Sequence, residues 1–229
     1  MLNIIFLQVF PYVAIVLFLV VSIFLYKTNG YKYSSLSSEF LESQQLFWGS
    51  VPWHYGILVV MTGHLLAFLF PQSYIAFGTM PMRLLILEIM SLAFGLMALF
   101  GLCMLIHRRM TNSRVRAVTS SMDIVILCVL LAQVVTGILI AVNYRWGSVW
   151  YASALVPYLK SIFLFSPDIS YIESMPFMVK LHAVNAFIFI ALIPFSRFVH
   201  FLVVPFHYLW RSYQIVIWNY DRKRIRKHD

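Results

Sequence analysis

Four histidines stand at spacings that suit metal chemistry inside an otherwise apolar chain. His54 and His64 lie ten residues apart in VPWHYGILVVMTGH, and His182 and His200 lie eighteen apart in KLHAVNAFIFIALIPFSRFVH. The neutral imidazole is the commonest biological metal ligand, and its cost in an apolar medium is offset when it binds a metal. On a helix, ten residues rise about 15 Å and differ by about 80° around the axis, so His54 and His64 can face one interior at two depths. Eighteen residues make five whole turns, which predicts one shared face for His182 and His200. Two antiparallel helices, each offering two imidazoles, supply the axial ligands of a di-haem cytochrome b, where each iron takes two nitrogens from opposite sides. Matching by depth pairs His64 with His182 and His54 with His200. Eighteen residues rise about 27 Å against about 15 Å for ten, and the difference falls to tilt, side-chain direction or a kink at Pro194.

A lone histidine in a membrane helix is commonly a hydrogen-bonded packing residue. Four at matched depths on two helices favour ligation instead. A histidine-lined metal or proton carrier is the alternative from a different class. Such pathways usually also carry intramembrane carboxylates, whereas here Glu88 is the only acid well inside an apolar run and Asp123 stands at the mouth of another. Two further features fit a haem site. Gly63, just before His64, lets a flat ring approach the backbone, although close helix packing explains a glycine equally well. Arg197, three residues before His200, and Arg109, at the end of the third apolar run, suit anionic propionates.

The elements that must hold these residues are membrane helices. The chain has 229 residues, 62% hydrophobic and 11% charged, with a mean hydropathy of +0.84. That composition excludes an ordinary soluble domain. A span needs about 20 mostly apolar residues, and five segments qualify, at about 4–26, 51–70, 84–106, 124–142 and 176–206. Pro52 and Pro176 suit first-turn positions, and Asp123 suits an N-cap. The predicted fold is therefore all-α, a single domain over 1–229 with a basic tail at 207–229. Residues 149–165, VWYASALVPYLKSIFLF, are apolar but short and carry Pro157 and Lys160, which predicts an interfacial cover over the bundle. The N-terminus lacks a basic n-region and an A-x-A-like site, so it reads as an anchor rather than a cleaved signal. Cys103 and Cys128 form no CxxC or CxxCH, which excludes a cysteine-bound iron–sulfur cluster and covalent c-type haem. With five spans, Lys27 and Lys32, the turn HRRMTNSRVRAVTSSMDI at 107–124, and the tail all fall on one side. The positive-inside rule puts that side, and the C-terminus, in the cytoplasm and the N-terminus outside. The net charge of +9 points to anionic lipid or an acidic partner, not nucleic acid.

The His54–x9–His64 pair with Gly63, the basic turn at 107–124 and PFSRFVHFLVVPFHYLWRSYQ at 194–214 together resemble the gamma subunit, a membrane cytochrome b, of respiratory nitrate reductase. The resemblance covers nearly the whole chain. It implies two non-covalent b haems, an outer one on His64 and His182 and an inner one on His54 and His200. It implies oxidation of membrane quinol beside the outer haem, near Gly63 and His64. Electrons would then pass to an iron–sulfur beta subunit and a molybdenum-containing alpha subunit, in the cell (inner, cytoplasmic) membrane. No nitrate-reducing site would lie on this chain. The family pattern has a lysine near the start of the third helix, linked to the quinol site. The nearest cation here is Arg83, in TMPMRLL, which the pattern makes a third quinol residue. Related cytochrome b subunits serve other anaerobic quinone-linked complexes, including those of sulfur metabolism.

Overall fold

A computed structural model of the chain describes residues 2–28 and 44–201, with only the backbone of His200 and Phe201. Every regular element among the described residues is helical. Five helices are long and apolar enough to cross a membrane: α1 Leu2–Thr28, α2 Gln44–Leu69, α4 Pro81–Thr111, α6 Ser121–Asn143, and α9 Phe177–Leu192, which a 3-10 turn extends to Phe195. Shorter helices join them: α3 Pro71–Gly78, α5 Ser113–Ala117, α7 at 147–163 and α8 Ser170–Glu173. Long side chains such as Leu17, Val20, Leu58 and Ile89 point outward from the bundle. In water this apolar exterior would be unstable; in a bilayer it is the expected surface, with all backbone bonds made within helices.

Sequence signals explain most helix ends. Pro81 sits in the first turn of α4, where its missing N–H costs nothing. Asn112 caps α5 by accepting from the Arg114 and Val115 amides. Three details differ from the sequence expectation. Pro52 lies inside α2, which begins eight residues earlier at Gln44; the missing N–H is tolerated there because neighbouring helices stabilise the segment. Asp123 is not the N-cap of α6. Ser120 is, and Asp123 closes a capping box by accepting from the Ser120 amide. The fifth span is not one α-helix to residue 206. It stops at Leu192, passes through 3-10 turns at Ile193–Phe195 and Arg197–Phe201, and has extended backbone at Ser196. Pro194 therefore ends the helix rather than kinking it.

Glycines set the helix contacts. A Cβ on Gly56 would lie 2.6 Å from the Ala98 amide nitrogen and the Phe94 carbonyl oxygen, and one on Gly101 would meet the Trp53 backbone. So α2 and α4 touch backbone to backbone through small residues, as membrane helices commonly do. Helix α9 packs chiefly on α6 and α1, and α4 also packs on α6. Two cores result. One joins Leu7 and Ala14 of α1, Tyr158 and Ile162 of α7, and Val179 of α9. The other joins Trp53 of α2, Leu102 of α4 and Leu130 of α6, with Phe189 and Phe198 packed against it.

The segment 147–163 behaves as the expected cover. Tyr158 donates to the Leu7 carbonyl at 2.6 Å, and Tyr12 of α1 donates to the Ile162 carbonyl at 3.0 Å. These bonds clamp α7 over the bundle end that carries the N-terminus, here the N-terminal face. The basic turn and the break at Ser196 lie at the opposite end, the turn face.

Candidate functional site

His54 and His64 sit on one unbroken helix, α2, so their spacing of about 15 Å along the axis holds. Both side chains are exposed. Each places Nδ1 against the carbonyl one turn back, His54 on Ser50 at 2.7 Å and His64 on Val60 at 2.9 Å. A carbonyl only accepts, so Nδ1 carries the proton and Nε2 carries the lone pair. Ser50 Oγ also lies 3.1 Å from His54 Nδ1.

His182, half-buried on α9, points at α6. Its Nδ1 lies 2.9 Å from Thr136 Oγ1, and its Nε2 lies 3.0 Å from Gln133 Nε2. The Thr136 hydroxyl donates to the Ala132 carbonyl at 2.7 Å, so it accepts from His182 Nδ1–H. The Gln133 amide is fixed in turn, because Asn185 Nδ2 donates to Gln133 Oε1 at 2.7 Å and to the Val129 carbonyl at 3.0 Å. His54, His64 and His182 thus share one tautomer. A Cβ on Gly137 would lie 3.1 Å from His182 Cε1, so that glycine makes the room for the ring. His64 and His182 lie within electrostatic reach of one another, across from different helices.

His200 falls in the 3-10 stretch Arg197–Phe201, and its side chain lies outside the described residues. The α-helix ends between His182 and His200, so five whole helical turns do not put the two on one face, contrary to the sequence expectation. Two cations expected nearby are held together. Arg197 Nε donates to Asp123 Oδ1 at 3.0 Å and Oδ2 at 3.2 Å, and its Nη2 donates to the Val118 carbonyl at 2.7 Å. Arg109 Nη1 lies 3.6 Å from Asp123 Oδ2 and donates to Thr119 Oγ1 at 3.1 Å. Asp123 is only 3% exposed. One buried carboxylate therefore orients two guanidiniums at the turn face and leaves the trio with net positive charge.

At the other end, a Cβ on Gly63 would meet nothing within 4 Å. This glycine is not consumed by helix packing, in contrast to Gly49, Gly56 and Gly101. Tyr151 of α7 packs edge-on against the His64 ring at 4.9 Å between centroids, with its hydroxyl 3.4 Å from the His64 carbonyl. Burial pushes the Tyr151 phenol up to about 12, so it stays a neutral donor at neutral pH. Arg83 is exposed and its guanidinium lies 5.3 Å from the Phe77 ring centroid. The sequence reading missed Asp123 as the link between Arg109 and Arg197. It also missed the Gln133, Thr136 and Gly137 seat for His182, and Tyr151. The GlnxxThrGly spacing puts those three residues on one helix face, but nothing in the sequence shows that α9 turns His182 toward it.

Comparison with known proteins gives the context for this geometry. A family profile described as the nitrate reductase gamma subunit matches residues 3–219. The chain is 32% identical over 210 residues to the nitrate reductase gamma chain of Bacillus subtilis (strain 168), covering 90% of this chain and 94% of that one. It is 33% identical over 220 residues to the respiratory nitrate reductase 2 gamma chain of Escherichia coli (strain K12), covering 94% and 96%. With the respiratory nitrate reductase 1 gamma chain of the same organism the identity is 32% over 220 residues.

Proposed function

The chain belongs to the nitrate reductase gamma subunit family, a membrane subunit of an oxidoreductase complex, and on that premise we propose that it is a quinol-oxidising di-haem subunit. Quinol is oxidised near the N-terminal face beside His64, and the electrons leave at the turn face. The observation that carries this reading is the shared tautomer. His54, His64 and His182 each commit Nδ1–H to a bond within the protein, which leaves Nε2 as the nitrogen with a lone pair for iron.

His64 and His182 would hold one haem, and His54 and His200 the other. When bound, the two haems supply one-electron carriers at two depths of the membrane. To hold iron, His182 would give up the Gln133 bond to Nε2 and keep the Thr136 bond to Nδ1. Arg109 and Arg197, oriented by Asp123, offer charge to the propionates of the haem nearer the turn face. Gly63 leaves the backbone beside His64 open to a flat ring, and Arg83 stands at the mouth of that end for a quinol oxygen.

The basic residues of the turn and of the tail sequence support a cytoplasmic turn face by the positive-inside rule. There an iron–sulfur beta subunit takes the electrons and passes them to a molybdenum-containing alpha subunit, in the cell membrane. Quinol oxidised at the opposite face releases its protons outside while its electrons cross inward, so turnover charges the membrane.

The test is substitution of the ligands one at a time in the purified complex. H64A or H182A removes one b-type spectrum and abolishes reduction by menadiol, whereas H54A removes the other. Loss of the same haem from H54A and H182A would overturn the pairing.

A further inference from the structure

The acid inside α4 has a different setting from Asp123. Glu88 lies about 10 Å along α4 from Pro81, and His64 lies about 8 Å before the end of α2, at the same end of the bundle. Two neutral donors fix the Glu88 carboxylate: the Ser148 amide at 2.9 Å and the Ser148 hydroxyl at 2.6 Å, both to Oε1. Tyr74 of α3 interacts with the Ser148 side chain and lies within the field of Glu88. Tyr151, one turn after Ser148 on α7, lies within electrostatic reach of Tyr74 and packs on His64. The other charges at this end are Arg83 on α4, over Phe77, the exposed Arg145 just before α7, Lys160 of α7 over Phe68, Asp168 and Glu173 around α8, and Lys180 of α9, whose Nζ donates to the Glu173 carbonyl. Among the described residues no cation lies within ion-pair distance of Glu88, whereas Asp123 has two.

A carboxylate at membrane depth is costly and marks a functional site unless it is paired. Asp123 is paired and would have to break two ion pairs to take a proton. Glu88 is held by neutral groups through one oxygen, so Oε2 can gain a proton without breaking an ion pair. We infer that Tyr151, Tyr74, Ser148 and Glu88 form the proton exit of the quinol site, with the Glu88 carboxylate as the proton acceptor. This rests on the quinol reading above. As each hydroxyl of the quinol loses its electron and its O–H bond breaks, the proton passes along the cluster to Glu88. The haem that His64 would hold would supply a one-electron acceptor, emptied toward the turn face before the next electron arrives. Glu88 then loses the proton to water at the N-terminal face before the second hydroxyl is oxidised, so two protons and two electrons leave per quinol. Neutral Tyr74 and Ser148 relay a proton by giving one and taking one, with no net change.

The competing role for Glu88 is a tie between α4 and α7. E88Q separates the two, because glutamine still accepts from Ser148 but takes no proton. The experiment uses the full chain with its haems, mixed with menadiol across a pH series, together with redox-difference infrared spectroscopy. E88Q is expected to keep both haems, to slow haem reduction by about tenfold or more, to flatten its pH dependence, and to lose a carboxylic-acid infrared band. S148A is expected to shift that band without removing it. Wild-type rate, pH profile and infrared band in E88Q would overturn the relay and leave Glu88 as a tie. If E88Q fails to retain haem, the wild-type and S148A infrared spectra decide: no carboxylic band in wild type, or one that S148A does not move, overturns the proposal. A wild-type protein that dithionite reduces and menadiol does not would defeat the quinol reading itself, independently of Glu88.

Discussion

His54, His64 and His182 each commit Nδ1 to the protein, and the proposed ligation through Nε2 makes specific demands on their neighbours. Thr136 holds His182 Nδ1 and sets its ring direction. Loss of such an outer partner commonly costs about 10–100-fold in metal affinity. T136V is therefore expected to weaken the His64–His182 haem by that order, read by haem titration of the apoprotein, with the other haem unaffected; equal loss of both would contradict the seat. Asp123 makes the complementary demand at the turn face. Its loss frees two partly exposed guanidiniums, a change worth on the order of 2 kcal/mol once solvent screening is allowed for. D123N should lower retention of the His54–His200 haem in a detergent wash and spare the other. The proposed ligand residues stand out by residue type and spacing alone. Their partners do not, because Gln133, Thr136 and Asn185 acquire meaning only when α9 is laid against α6. Asp123 was hidden for another reason: its local capping role fully explains it in sequence.

The helices themselves were readable from length and hydropathy, and their ends less so. Proline misled in both directions. Pro52 marks no helix start, since QQLFWGSV is already helical before it. Pro194 lies beyond the α-helix, where the chain turns through 3-10 geometry into extended Ser196. Apolar residues continue past both points, so composition carried no boundary signal. The glycines of α2 give a paired test of packing against site function. G56A forces a Cβ to 2.6 Å from backbone atoms of α4 that cannot rotate away, an overpacking cost of about 1–3 kcal/mol or more. It is expected to lower the thermal stability of the detergent-solubilised protein. G63A meets no atom within 4 Å and should leave stability unchanged while raising the menadiol concentration needed for half-maximal haem reduction. Equal destabilisation by both would mean that Gly63 serves packing as Gly56 does.

Across the whole molecule, charge and geometry run in one direction. The open backbone at Gly63, the Tyr151 contact and Glu88 gather at the N-terminal face. The Arg109–Asp123–Arg197 trio gathers at the turn face; the basic tail, 207–229, lies outside the described residues. Truncation from Arg222 onward should weaken co-purification of an iron–sulfur subunit at physiological salt and leave both haems bound, because every proposed ligand precedes it. The central claim is that one chain carries two b haems that quinol reduces. It is tested most directly by the optical spectrum of the purified protein before and after menadiol. The account predicts low-spin b-type bands, two haems per chain by pyridine haemochrome assay, and reduction by menadiol that H64A abolishes. A colourless protein, or haems that menadiol leaves oxidised while dithionite reduces them, would contradict it.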